Sequence, residues 1–193
     1  MKQVGVKSNK SEDNYSFAEH VHRFAVWTAA RAVQRNFTTT ENIRKAIEQT
    51  GLQTLVFKKN ISTPKQFDKF HEKTCDKLIS VFKKQVIDAS YSRAVNFKKQ
   101  GINASYGRAA KIVAIYIKTS IVIPESGKSK LSKIAHPPID RILLHNLDSK
   151  YPELKLKSRN WTTLNKDEYF KLIQKFREDF GDCFWKIEVN WSS

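Results

Sequence analysis

The sequence predicts a mainly α protein, a single-domain helical bundle with at most a few short strands. Two patterns carry that reading. Short N-capping signatures recur along the chain, and each is followed by apolar residues at helical spacing. The length of 193 residues suits one domain able to bury its own core. Residues 1–15 are polar and read as a tail, and residues 16–193 read as the folded domain.

Ser16 and Glu19 form a capping-box signature, and Phe17, Val21, Phe24, Thr28 and Ala32 are the expected buried face of the first helix. Thr38 and Glu41 open a second helix in the same way, with Ile43, Ala46 and Ile47 inward and Gly51 at its C-terminal end. The segment Leu-Gln-Thr-Leu-Val-Phe (52–57) suits a short strand. Thr63, Pro64 and Gln66 start a long helix expected to reach about residue 88, burying Phe67, Phe70, Leu78, Phe82 and Val86. Residues 89–101 read as a shorter helix ended by Gly101. Residues 105–123 form the most apolar helix and are expected at the centre. A mobile basic loop follows over 124–133, then a helix led by His136-Pro137-Pro138-Ile139-Asp140. Residues 154–161 read as extended. Asn165 and Glu168 cap a last long helix that stops at Gly181, and residues 183–191 close the chain as a strand or packed tail.

Charge narrows the partners. Lys and Arg number 35 against 19 Asp and Glu, a net charge of +16. Residues 58–118 hold much of the excess, with 14 basic and 4 acidic side chains. Such a balance favours a polyanion, with nucleic acid first (DNA before RNA), an anionic membrane surface second, and a protein partner possible. Cys75 and Cys183 are far apart and lack neighbouring ligands, so neither a disulfide framework nor a zinc site is expected, and both read as buried reduced thiols. His20 and His22 are two apart, the wrong spacing for a metal pair on a helix, so no metal or cofactor is expected. The N-terminus has no apolar core of a signal peptide, and the longest apolar run is interrupted by Lys111 and Lys118. A soluble, cytoplasmic protein is the expectation.

Lys65, Lys69, Lys73 and Lys77 recur every four residues and make one helical stripe, with Lys83 and Lys84 near its end. Asp68, Glu72 and Asp76 form a second row beside them and weaken the stripe as a phosphate rail. Lys98, Lys99, Arg108, Lys128, Lys130 and Lys133 have no such acidic neighbours and are the stronger phosphate-binding candidates. Ser105 and Gly107 lie in a small-residue turn before a helix, where free backbone N–H groups can hold a phosphate. Tyr91, Tyr106 and Trp161 are candidates for base stacking, with core packing the competing role. On the first helix Arg23, Trp27, Arg31 and Arg35 run along one side, as a backbone-binding ridge or as structural Arg-on-Trp stacking. The alanines beside Arg23 and Arg31 favour the structural role.

Two prolines hold Asp140 in the first turn of its helix, next to Arg141. The order of turn, helix, loop, proline, aspartate and helix across residues 100–150 resembles the helix–hairpin–helix DNA glycosylases. The resemblance implies a hairpin gripping a DNA phosphate, Lys111 as a nucleophile attacking the sugar, and Asp140 stabilising the sugar cation. Base-excision chemistry on a flipped nucleotide is the expected activity. The chain departs from that pattern in lacking the Leu-Pro-Gly-x-Gly hairpin tip and any iron–sulfur cysteine cluster, and Lys111 follows Gly107 by four residues where the family has two. Separately, Arg141 and His145 resemble the Arg and His of helical ribonucleases from toxin and antiviral systems, one residue closer together. A non-enzymatic basic subunit docking on nucleic acid or a partner protein needs none of these residues. In that role Lys111 snorkels from its helix and Asp140 complements the helix dipole or pairs with Arg141.

Overall fold

The computed structural model describes residues 15–33, 37–91, 103–181 and 183–192, so the tail as far as residue 14, Lys98 and Lys99 lie outside it. The first helix, α1 (Phe17–Val33), is followed by α2 (Thr40–Glu48), α3 (Leu52–Lys58) and the long α4 (Pro64–Tyr91). Then come α5 (Tyr106–Ile117), the short α6 (Lys130–Ile134), α7 (Arg141–Leu147) and α8 (Lys166–Phe180). A π-helical turn over Lys118–Val122 extends α5, and 3-10 turns occupy Pro152–Leu154, Leu156–Ser158, Trp161–Thr163 and Phe184–Asn190. The protein is a helical bundle, and no strand occurs among the described residues.

α5 lies at the centre as its composition demands. Eleven of its twelve residues are buried, and it packs on α1, α4, α3 and α8. Both helices are rich in buried alanine, Ala25, Ala29 and Ala30 on α1 and Ala109, Ala110 and Ala114 on α5. Small side chains let two backbones approach, and buried His22 then hydrogen-bonds the Tyr116 hydroxyl across them at 2.8 Å. This close approach sets the rotation of α1. Its inner face is His22, Ala25, Val26, Ala29, Ala30 and Val33, whereas Phe17 and Phe24, expected inside, are 81% and 53% exposed.

Local capping signals fold as the sequence indicates where the partners are a turn apart. Asn165 and Glu168 exchange both bonds of a capping box. Thr63 and Gln66 do the same, Gln66 N–H to Thr63 Oγ1 and Thr63 N–H to Gln66 Oε1. Glu19 N–H donates to Ser16 Oγ. α2 is capped by Thr39 rather than Thr38, and Gly51 precedes α3 instead of closing α2. The strand expected over 52–57 is α3, because Leu52 and Leu55, three apart, are its buried residues. The segments expected as extended near the chain end are 3-10 turns. The basic loop after residue 124 folds in part into α6, capped by Ser129. Of the short helix expected over 89–101, residues 89–91 continue α4 and the rest lies outside the described residues. Cys75 is buried, Cys183 is half-buried, and both are free thiols.

Candidate functional site

α5 presents Lys111 from inside the core. Only 8% of the residue is exposed, and its ammonium lies 3.5 Å from Asp140 Oδ2 and 4.3 Å from the centre of the Trp161 ring. Burial pushes the amine below its ordinary pKa, and the Asp140 carboxylate partly offsets this. Asp140 is the N-cap of α7, one position before the first turn where the sequence places it. Its Oδ1 accepts the Leu143 N–H at 3.0 Å, and its Oδ2 accepts the Trp191 indole N–H at 2.8 Å. The two residues of the glycosylase-like reading therefore meet, although 29 positions separate them in sequence. The Asp140–Arg141 pair considered from sequence does not form. Arg141 is exposed, and Lys111 is the cation that reaches Asp140.

The start of α5 corrects the phosphate reading of Ser105 and Gly107. Ser105 Oγ caps the helix by accepting the Arg108 N–H, and its hydroxyl donates to the Thr162 carbonyl. The Gly107 N–H donates to the Leu164 carbonyl at 3.0 Å. A Cβ on Gly107 would stand 1.9 Å from the Trp161 carbonyl oxygen. Glycine is required here because the Trp161–Thr163 turn packs directly on the helix, and the Gly107 and Arg108 N–H groups are already taken by Leu164 and Ser105. Arg108 is also buried, with its guanidinium 4.9 Å above Phe37, and its Nε and Nη1 find no hydrogen-bond partner among the described residues. Tyr106 is buried and Trp161 half-buried against Lys111, so both serve packing, and the side chain of Tyr91 lies outside the described residues.

A second polar group is largely internal, and no sequence pattern marks it. Arg177 holds Asp68 by two hydrogen bonds of 2.9 and 2.7 Å. Asp68 Oδ1 lies 2.8 Å from His136 Nε2, and a carboxylate can only accept, so that nitrogen carries the proton. His136 Nδ1 then accepts from the Tyr169 hydroxyl (3.2 Å), Tyr169 accepts from His71 Nε2 (3.3 Å), and His71 Nδ1 accepts from the Tyr106 hydroxyl (3.3 Å). Arg177 Nη2 also lies 3.1 Å from His136 Nε2, and the shorter contact to Asp68 favours the tautomers given. Burial drives the pKa of His71 well down, and the nearby His136 lowers it further. Burial also lowers that of His136 against the pull of Asp68. Burial raises the Asp68 carboxyl, but hydrogen bonds from His136 and Arg177 outweigh it and hold the group well below the usual range. The chain ties α4, α5, α8 and the segment before α7 together. His71 is 0% and His136 2% exposed, so its work is architectural.

The outer side of α4 shows its lysines to be freer than their sequence neighbours imply. At 100° per residue Lys65, Lys69, Lys73, Lys77, Lys83 and Lys84 fall within an arc of about 120°. All six are exposed, and none forms an ion pair among the described residues. The acids lie at the edge of this arc, with Asp76 inside it, and are paired with α8. Lys166 reaches Glu72 at 3.0 Å and Asp76 at 2.7 Å, and Arg177 takes Asp68. Lys128, Lys130 and Lys133 are exposed around the start of α6 and likewise unpaired among the described residues.

No group of His, Cys, Asp and Glu suited to a metal ion occurs among the described residues, and no described helix is long and apolar enough to cross a membrane. A surface depression of about 440 Å³ at the end of α8, lined by Arg177, Glu178 and Lys186 among others, contains none of the sequence's candidates. No protein family, curated protein or solved structure matches this chain, so its residues alone carry the functional argument.

Proposed function

We propose that this chain binds nucleic acid through the lysine face of α4. The observation that carries the reading is the pairing of Glu72 and Asp76 with Lys166 and of Asp68 with Arg177, which neutralises the acids bordering that face and leaves its lysines unpaired among the described residues. Four-residue steps along a helix advance about 6 Å, so successive ammonium groups can follow a phosphate backbone. Lys128, Lys130 and Lys133 add exposed charge. Contacts of this kind give affinity without base recognition. Fluorescence anisotropy at about 50 and 200 mM salt tests the reading. Affinity should fall steeply between the two, because each phosphate contact releases counterions. Absence of binding at the lower salt would remove it.

Base excision by Lys111 and Asp140 is a second reading, favoured by one observation: the desolvated amine and the carboxylate lie 3.5 Å apart. A nucleophilic lysine requires such a lowered pKa. It also requires a path to the sugar, which here means displacing Trp161 and Trp191. Borohydride trapping on abasic DNA discriminates. A covalent adduct abolished by Lys111→Ala supports excision, and absence of an adduct assigns the pair to the fold.

A further inference from the structure

Among the described residues α1 leaves one side unpartnered, and that side is not ordinary surface. Phe17, Phe24 and Trp27 are 81%, 53% and 51% exposed, and Tyr15 just before the helix is 50% exposed. With His20 and Arg31 these helical residues fall at spacings of three and four, within an arc of about 80°. They are arranged in contact. The Phe24 and Trp27 rings stack at 5.9 Å with planes 19° apart, and Phe17 stacks on His20 at 6.2 Å. The Arg31 guanidinium lies 6.0 Å from the Trp27 ring centre, and Arg23 sits 4.9 Å over Tyr15. Glu19, the acid of this helix, is bonded to Arg23 at 2.6 Å.

We propose that this ridge is a stacking platform for the bases of a single-stranded nucleic acid, with Arg31 placed for its phosphates. The proposal rests on the nucleic-acid reading and names the form of nucleic acid. Flat π faces interleaved with cations are the chemistry of single-strand binding, where stacking is tolerant of sequence and a basic groove follows the backbone. Base faces are reached only where a strand is unpaired, since a duplex stacks its bases on one another and offers edges and phosphates. The apolar side chains exposed on this ridge are all aromatic, whereas an amphipathic helix docking into a protein groove also relies on aliphatic anchors. The excess positive charge of the chain selects a polyanion over a neutral apolar partner.

The test compares the full chain with the double variant Phe24→Ala/Trp27→Ala and with Lys69→Gln/Lys73→Gln. Each is titrated with a labelled oligothymidylate and with a duplex of equal length. Each base there loses its stacking partner, so the aromatic variant should lose roughly ten- to a hundredfold in affinity for the single strand. Its duplex affinity, salt slope and melting temperature should be unchanged, because both rings are exposed. The lysine variant should weaken both ligands. Single-strand affinity within about twofold of the parent chain in the aromatic variant would overturn the platform and leave the α4 reading standing. Failure of the parent chain to bind either ligand at low salt would overturn both. A dimer that dissociates on the aromatic substitutions, with single-strand binding unaltered, would make the ridge a self-association face and overturn the proposal.

Discussion

Lys73 and Lys111 carry the same ammonium group in opposite surroundings. Lys73 stands exposed on α4 and forms no ion pair among the described residues. Lys111 lies in α5 with a carboxylate at 3.5 Å and an indole over it at 4.3 Å. An exposed lysine keeps its charge hydrated and available, and exchanging its counterions for phosphate costs little. A buried lysine has lost its hydration and is stable only against a fixed anion. The contrast teaches that net charge alone does not locate a binding face. What locates it is which acids the fold has already engaged, and here α8 engages Asp68, Glu72 and Asp76 of α4.

The largest expected effect comes from breaking the buried side. Asp140→Ala removes the α7 cap, the acceptor of the Trp191 indole and the partner of Lys111 together. Loss of one member of a buried pair leaves the other uncompensated and costs about 3–5 kcal/mol. Chemical denaturation should show that loss, while nucleic-acid affinity measured on the folded fraction stays near that of the parent chain. A stability change below about 1 kcal/mol would reduce Asp140 to an ordinary cap.

Acid should act on the same side of the comparison. His71 and His136 hold folded-state pKa values below the unfolded value of about 6.5, so protonation favours the unfolded chain. Their contribution is whole above that value and is lost as pH falls from about 6.5 toward the depressed folded-state values. Melting temperature should drop between about pH 7.5 and 5. A flat or rising profile would mean that the histidines are charged inside the protein.

The smallest effect sharpens the exposed side. Lys166→Gln releases Glu72 and Asp76 from α8 without touching the lysines of α4. The freed carboxylates then oppose a bound phosphate, and affinity should fall about two- to fivefold, the scale of a surface charge pair. Glu72→Gln/Asp76→Asn in the same background should restore it. No change in either variant would show that the acids are irrelevant to the lysine face.

Sequence alone makes parts of this comparison legible, and distance along the chain explains which. The caps at Thr63 and Asn165 are readable because donor and acceptor lie within one turn. The apolar excess of α5 places it centrally, since a helix with so few polar residues has nowhere else to go. The inner face of α1 differs from the expected one because large aromatics outrank alanine in apolar area, while the close contact with α5 demands the smallest side chains. Lys111 and Asp140 stand out in the sequence, but only folding shows that Trp161 and Trp191 enclose them. The polar chain from Arg177 to Tyr106 draws on residues as far apart as 68 and 177, and no local pattern marks it. The α4 lysines are hard to rank for the same reason, because neighbours in sequence suggest a screen that α8 neutralises.

The most direct measurement places both kinds of lysine in one experiment. Lys69→Gln/Lys73→Gln/Lys77→Gln and Lys111→Met are compared for melting temperature and for the slope of log affinity against log salt. In the triple variant the slope should shrink by about 2–3, from the loss of up to three phosphate contacts, with the melting temperature unchanged. Lys111→Met should lower the melting temperature by roughly 6–20 °C and leave the slope as it was. A triple variant that keeps the parental slope, or a Lys111→Met variant that loses it, would contradict the division between the α4 face and the core.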